Sequence, residues 1–160
     1  MLFRSELARD RRMPNLVMML ASLAVMFFAF PSPADLAKQV NDGNPVGAIA
    51  FMRRTGLSGR MLNDYGYGGY LIWAAPEYKV FVDGRAELYD ATGLLKEYGE
   101  WTLLQQDPKV LLEKYKIDFC LLPKSAPMAR VLPYLPQWKE VFADETSVIF
   151  SRLGHRMPVE

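Results

Sequence analysis

From Met13 to Ala34 the sequence carries no charged side chain, and Leu16 to Phe30 (LVMMLASLAVMFFAF) is almost wholly apolar. No other stretch restricts the fold as much, because a run without a polar face does not sit half-buried on a soluble core. A membrane-spanning helix needs about 20 apolar residues. The uncharged run reaches that length, while its strongly apolar heart is shorter. Arg4, Arg9, Arg11 and Arg12 precede it and outnumber Glu6 and Asp10. A basic start and a short apolar core also describe a secretory signal peptide, with Ser32-Pro33-Ala34 as the cut site and the proline a poor feature there. The balance predicts a retained transmembrane helix over 13–34, with a cleaved signal peptide as the alternative. In either case the arginines place the basic segment 1–12 in the cytoplasm. The chain is then a single-pass inner-membrane protein whose C-terminal part lies on the periplasmic or extracellular side.

The 160 residues suit one domain, expected over 35–153, with a polar tail at 154–160. The net charge of +1 excludes the broad basic field that nucleic acid requires. The single Cys120 permits neither an intrachain disulfide nor a cysteine metal cluster. His155 is the sole histidine, so histidine-rich metal sites and a conventional triad are not expected. Gly66, Gly68 and Gly69 invite a phosphate-loop reading, but their spacing fits neither the dinucleotide nor the P-loop pattern, and no lysine stands in the required place. Close packing of a short helix on a strand explains them better. The sequence thus predicts no metal and no cofactor.

Ser32-Pro33-Ala34-Asp35 reads as a helix start, with Gly43 as the stop. A second helix follows Asn44-Pro45 and ends at Gly56. Arg60–Asn63 is a short strand, Tyr70–Trp73 a short helix, and Lys79–Val82 a strand of β-branched and aromatic residues. Helical patterning runs over Ala86–Glu100 and restarts after Asp107-Pro108. Asp118–Leu122 is a continuous apolar run, as in a strand covered on both faces. Ser125 with Pro127 opens another short helix, and Trp138–Phe142 with Thr146–Ser151 form an antiparallel hairpin. This order predicts an α/β three-layer domain with a mostly parallel sheet that ends in the hairpin. Tyr70, Leu71, Trp73, Trp101 and Trp138 are expected in the core, and Cys120 as a buried, inert thiol.

Ligands of open α/β sheets gather beyond the carboxyl ends of strands. Asp64 and Tyr65 follow the first strand, Asp83 and Arg85 the second, and Lys124 the third. With Tyr67 they supply carboxylates, cations and phenols for one rim. Such groups suit sugars or anions, through aromatic faces and arginine forks. Turn chemistry explains the same residues without a ligand: Asp83 pairs with Arg85, and Gly84 supplies a left-handed conformation.

Four stretches carry a family resemblance: GLSGRMLNDYGYGGYLIW, VFVDGRAELY, KYKIDFCLLP and PQWKEVFAD. Over residues 45–152 they resemble the C-terminal extracytoplasmic domain of large bacterial multi-spanning proteins of the GT-C glycosyltransferase type, including mannosyltransferase and aminoarabinose transferase groups. Asp64-Tyr65-Gly66 is also similar to the end of the WWDYG motif of oligosaccharyltransferase catalytic subunits, which helps hold the acceptor. Leu62-Asn63 stands where that motif has its tryptophans. The resemblance implies an acceptor-binding or assembly module for a glycan or polypeptide, beside a multi-spanning membrane partner and the lipid bilayer. GT-C enzymes carry their catalytic acid between early spanning helices, next to a polyprenyl-phosphate sugar donor. With one span at most, this chain is expected to have no catalytic residue and no transferase activity alone. Two other readings stand beside this one: a structural subunit docking on a larger membrane complex, and a glycoside hydrolase using Asp64 and Asp83. The hydrolase would require carboxylates roughly 5–9.5 Å apart.

Overall fold

The computed structural model describes residues 12–155. The chain divides into two compact units at Val40–Asn41.

The first unit contains α1 (Arg12–Ala29) and most of α2 (Pro33–Gly43). The uncharged run is therefore not one helix. It breaks between Phe30 and Ser32, and Pro14–Ala29 and Pro33–Gly43 are bent by 47°. Proline at residue 31 and a new cap at Ser32 account for the break. Ser32 Oγ accepts from the Asp35 backbone N–H (3.1 Å), and the Asp35 carboxylate accepts from the Ser32 backbone N–H (3.1 Å). This reciprocal cap fixes the start of α2 where the sequence places it. The 18 residues of α1 rise about 27 Å at 1.5 Å each. No single described helix is long and apolar enough to cross a membrane, and the bent pair passes that test only together. Every side chain from Pro14 to Gly43 is exposed.

The second unit is a mixed α/β domain. Its four-stranded sheet has the order β1 (Met61–Asn63), β2 (Phe119–Pro123), β4 (Ser147–Arg152), β3 (Trp138–Ala143). β1 and β2 are parallel, with Met61 opposite Phe119 and Asn63 opposite Leu121. β4 is antiparallel to both β2 and β3, and the β3–β4 register slips between Glu140 and Phe142. One parallel and two antiparallel pairs make the sheet mixed, which corrects the expectation of a mostly parallel one.

Side-chain alternation sends successive residues to opposite faces. Met61, Phe119, Leu121 and Ile149 join a core with α3 (Val46–Thr55) and α4 (Tyr65–Ala74). Leu62, Cys120, Leu122, Val148 and Phe150 join a second core. This second core takes in α6 (Leu94–Thr102), α7 (Pro108–Lys114), α8 (Pro127–Val131) and the 3₁₀ turn Leu132–Tyr134. β2 is therefore buried on both faces, as its apolar run predicts. The helical patterning over Ala86–Glu100 resolves into two helices, α5 (Ala86–Asp90) and α6, separated where Gly93 takes φ 70°. Asp107 caps α7 by accepting from the Lys109 backbone N–H at 2.9 Å.

The expected second strand, Lys79–Val82, is irregular, with a bend at Phe81, and joins no backbone ladder. Asn63 holds it instead. The Asn63 side chain is fully buried. Its Nδ2 donates to the Val82 carbonyl (2.8 Å), and its Oδ1 accepts from the Phe81 backbone N–H (2.7 Å). One carboxamide thus imitates a peptide unit and satisfies the two backbone groups a neighbouring strand would have paired.

His155 lies beyond β4, and its ring reaches the Ser58 carbonyl and the Asp118 carboxylate, the latter at 3.7 Å. The tail expected over 154–160 thus starts against the domain, and residues 156–160 lie outside the described residues.

Candidate functional site

The residues expected to form a rim cluster around the start of α4 and the docked segment 80–83. Asp64 is the N-cap of α4: its Oδ1 accepts from the Gly66 backbone N–H at 2.8 Å. The Asp64 backbone N–H donates to the Leu121 carbonyl (3.0 Å), extending the parallel ladder one residue past β1. The Tyr65 backbone N–H donates to the Tyr98 hydroxyl at 2.9 Å. Burial, aided by the Asp64 carboxylate, pushes the Tyr98 hydroxyl up to about 12, so it stays protonated. Tyr98 comes from α6, more than thirty residues away, and the sequence offered no signal for its part in this corner.

Asp83 is only 1% exposed, yet charged, and its carboxylate is fully engaged. Oδ1 accepts from the Arg85 backbone N–H (2.9 Å) and from Arg85 Nε (2.9 Å). Oδ2 accepts from Arg85 Nη2 (2.6 Å) and from the Tyr89 hydroxyl (2.8 Å). A carboxylate has about four acceptor positions, and all four are taken. The Arg85 guanidinium holds Asp83 well below the usual carboxylate range against the opposing effect of burial, and the Arg85 N–H and Tyr89 hydroxyl add to it. Arg85 itself is raised by the same pair, while its side chain remains 62% exposed. Asp83 therefore orients Arg85 and has no lone pair left for a ligand. Gly84 does not take a left-handed conformation, contrary to the turn expected from the sequence, and a Cβ there would meet open space.

The glycines of α4 have separate roles. A Cβ on Gly68 would lie 2.3 Å from the Val82 carbonyl oxygen and 2.6 Å from Asp83 Cα. Gly68 thus lets α4 press on the docked segment, the close packing expected from the sequence, although that segment is not a strand. A Cβ on Gly69 would meet nothing within 4 Å.

Tyr67 is buried, and its hydroxyl donates to the Thr146 carbonyl at 3.2 Å. Burial pushes that hydroxyl up to about 12. It belongs to the core and not to a ligand-facing rim. Lys124 Nζ donates to the Asp144 carbonyl (3.2 Å) at the β3–β4 turn. Asp144 itself ties that turn, accepting from the backbone N–H groups of Thr146 (2.9 Å) and Ser147 (2.7 Å). What stays accessible is the outer edge of Arg85, the exposed ring of Tyr65 and the half-buried Asp64. The adjoining depression is a shallow cleft of about 440 Å³ lined by Gly84, Arg85, Ala86 and Glu87.

Trp101 and Trp138 are buried, as expected, and burial pushes the Cys120 thiol strongly up, keeping it unreactive. Trp73 departs from expectation. It is 76% exposed on the outer side of α4, beside Ile72, while Leu71 faces the core. A helix apolar all round gives no sequence cue to which side is covered. Among the described residues, no group of three or more His, Cys, Asp or Glu is placed to hold a metal ion.

Neither protein-family models, curated proteins nor solved structures provide a match to this chain.

Proposed function

We propose that the chain is a membrane-anchored extracytoplasmic module that works by contact, as an assembly or acceptor-recognition unit beside a multi-spanning partner, and that it transfers no sugar alone. The resemblance to terminal domains of GT-C-type proteins suggests this setting. One observation carries the preference for contact over chemistry. The polar groups of the 63–89 corner already satisfy one another, whereas an apolar helix face next to them is left open. The bilayer segment in this reading is the bent pair of α1 and α2, or α1 with flanking residues, and the α/β domain lies outside the inner membrane.

A glycoside hydrolase fits less well. Its general acid should be a carboxyl with a raised pKa, and Asp83 is displaced in the opposite direction with every acceptor position occupied. Acceptor recognition would fall to the outer edge of Arg85 with Asp64 and Tyr65. Docking as a purely structural subunit needs none of the three.

Expression of the full chain in a bacterial host tests the proposal. Retention in the membrane pellet after alkaline carbonate washing, with the α/β domain digested only when protease is added from the periplasmic side, is the expected result. Release by carbonate, or digestion only from the cytoplasmic side, would overturn it. The assembly reading also expects the Arg85→Ala variant to remain in the membrane pellet.

A further inference from the structure

We propose that the cavity between α7 and the start of β3 binds a small carboxylate with an apolar, ring-sized body. The cavity is separate from the 63–89 corner, and its ligand does not depend on how the chain is anchored.

The cavity encloses about 370 Å³, at the small end of the roughly 300–1,000 Å³ typical of ligand pockets. Leu112 of α7 and Leu135, Pro136 and Trp138 form its apolar walls. Lys109, Glu113 and Gln137 supply the polar part of the lining. Lys109, Leu112 and Glu113 share one side of α7 because helical neighbours recur every three or four residues. The cavity lies at the opposite end of the sheet from Asp64. Trp138 pairs with Arg152, next to the Phe119–Ser151 pair where β2 begins, whereas Asp64 follows Asn63, opposite Leu121.

Two donors at this end are left over. Trp138 is only 6% exposed, and its indole N–H has no partner among the described residues. Trp101, the other buried tryptophan, donates to the Pro108 carbonyl at 3.2 Å. A buried indole N–H ordinarily finds such a partner. Arg152 Nη2 is also buried without one. The Arg152 guanidinium carbon stands 5.3 Å from the centroid of the Trp138 ring. Arg152 Nη1 donates to the Glu113 carboxylate at 2.8 Å and, weakly at 3.5 Å, to Gln137 Oε1. A buried donor with nothing to accept from it is costly, and an acceptor in the cavity would answer the indole.

The charges favour an anion. The acid in the lining, Glu113, is neutralised by Arg152. Lys109 is exposed, and its ammonium has no partner among the described residues. A carboxylate supplies charge for Lys109 and lone pairs for the indole N–H. An apolar ring suits Leu112, Leu135 and Pro136, whereas these walls offer a sugar too few hydrogen-bonding groups.

The probe is phenylacetate, with uncharged phenylacetamide and ring-free acetate as controls. The full chain is labelled with nitrogen isotope at its tryptophans and held in detergent micelles. Trp73, Trp101 and Trp138 then give one indole N–H signal each. We expect phenylacetate to shift the Trp138 signal downfield and saturably, with a Kd of about 1 mM, and to leave Trp73 unmoved. Phenylacetamide and acetate should each bind at least about tenfold more weakly, the first for lack of charge and the second for lack of a ring. Lys109→Glu should weaken phenylacetate by about tenfold. Trp138→Phe, followed by calorimetry, should do the same, with the Trp101 signal kept as proof of folding. If Trp138→Phe does not fold, Lys109→Glu, at an exposed position, decides alone. Phenylacetamide binding as tightly as phenylacetate would overturn the proposal. So would unchanged affinity in either folded variant, or a Trp138 shift that does not saturate by about 50 mM.

Discussion

The two sides of α4 meet opposite fates. Its inner side and N-terminus face a corner where every buried polar group has a partner within the chain. Its outer side presents an exposed tryptophan and a partly exposed isoleucine to the surroundings. The inner corner looks like a site because it concentrates Asn, Asp, Arg and Tyr, but Asn63 is occupied in holding one unpaired segment to the sheet, and Asp83, Arg85 and Tyr89 are bonded to one another. The outer side looks like core because it is apolar, and it is the part of the helix left for something else to cover. Residue type alone points the wrong way at Trp73, and at the corner it does not tell which groups are already engaged. The difference lies in whether hydrogen-bonding and packing capacity is already used.

Substitutions can break this contrast, and the largest effect is expected at Asn63. Asn63→Ala leaves the half-buried Phe81 N–H and the buried Val82 carbonyl without their partner, at about 1–3 kcal/mol each. We expect a total loss of about 3–5 kcal/mol, seen as a fall in Tm of about 10 °C or more. A fall of only a degree or two would mean that the segment is not held there.

Gly68→Ala comes next. The added methyl meets backbone atoms of Val82 and Asp83 that cannot swing aside, so the loss should reach the upper end of about 1–3 kcal/mol. Gly69→Ala, one residue on, should be neutral or gain up to about 1 kcal/mol, because its methyl enters open space on a helix. Equal effects at the two glycines, measured by chemical denaturation, would erase the distinction between the two sides.

The effect at Asp83 is smaller and depends on pH. Its folded carboxyl is depressed below the unfolded value of about 3.9. The stabilisation is therefore complete above roughly pH 5 and is lost as pH falls through 4 toward the depressed value. Asp83→Asn should cost about 1–2 kcal/mol at pH 7, moderated by the exposure of Arg85. The Tm gap between the two proteins should narrow steadily on acidification. A gap that stays constant from pH 7 to pH 2 would remove the ion pair from the explanation. Smallest of all, Trp73→Ser on the open side should change stability by no more than about 0.5 kcal/mol.

Much of the frame is legible in local signals. The caps at Ser32 and Asp107, the stop at Gly56, the doubly buried β2 and the β3–β4 hairpin each follow from a few adjacent residues. The misses share a physical cause: they depend on what lies across space. Lys79–Val82 has strand composition, and nothing in it says that its pairing groups are met by a side chain from Asn63. Asp83 and Arg85 follow a segment that could have been a strand, so they suggest a rim. Only the four bonds to one carboxylate show that Asp83 is full. Tyr98 joins the corner from α6, and Trp73 leaves the core because the sheet and α3 cover just one side of α4. At 13–34 two signals compete: the uncharged composition suggests one continuous helix, while the Ser32 cap marks the start of a second one, and the cap decides.

Amide hydrogen exchange at Phe81 tests the role of Asn63 most directly, because that N–H belongs to no backbone ladder and bonds only to a side chain. In the native chain the Phe81 amide should exchange nearly as slowly as amides of β2, and the Asn63→Ser variant should speed it selectively by at least about 100-fold. Phe81 exchanging at the rate of an open loop in the native chain would contradict the claim that this corner is held together by its own polar groups.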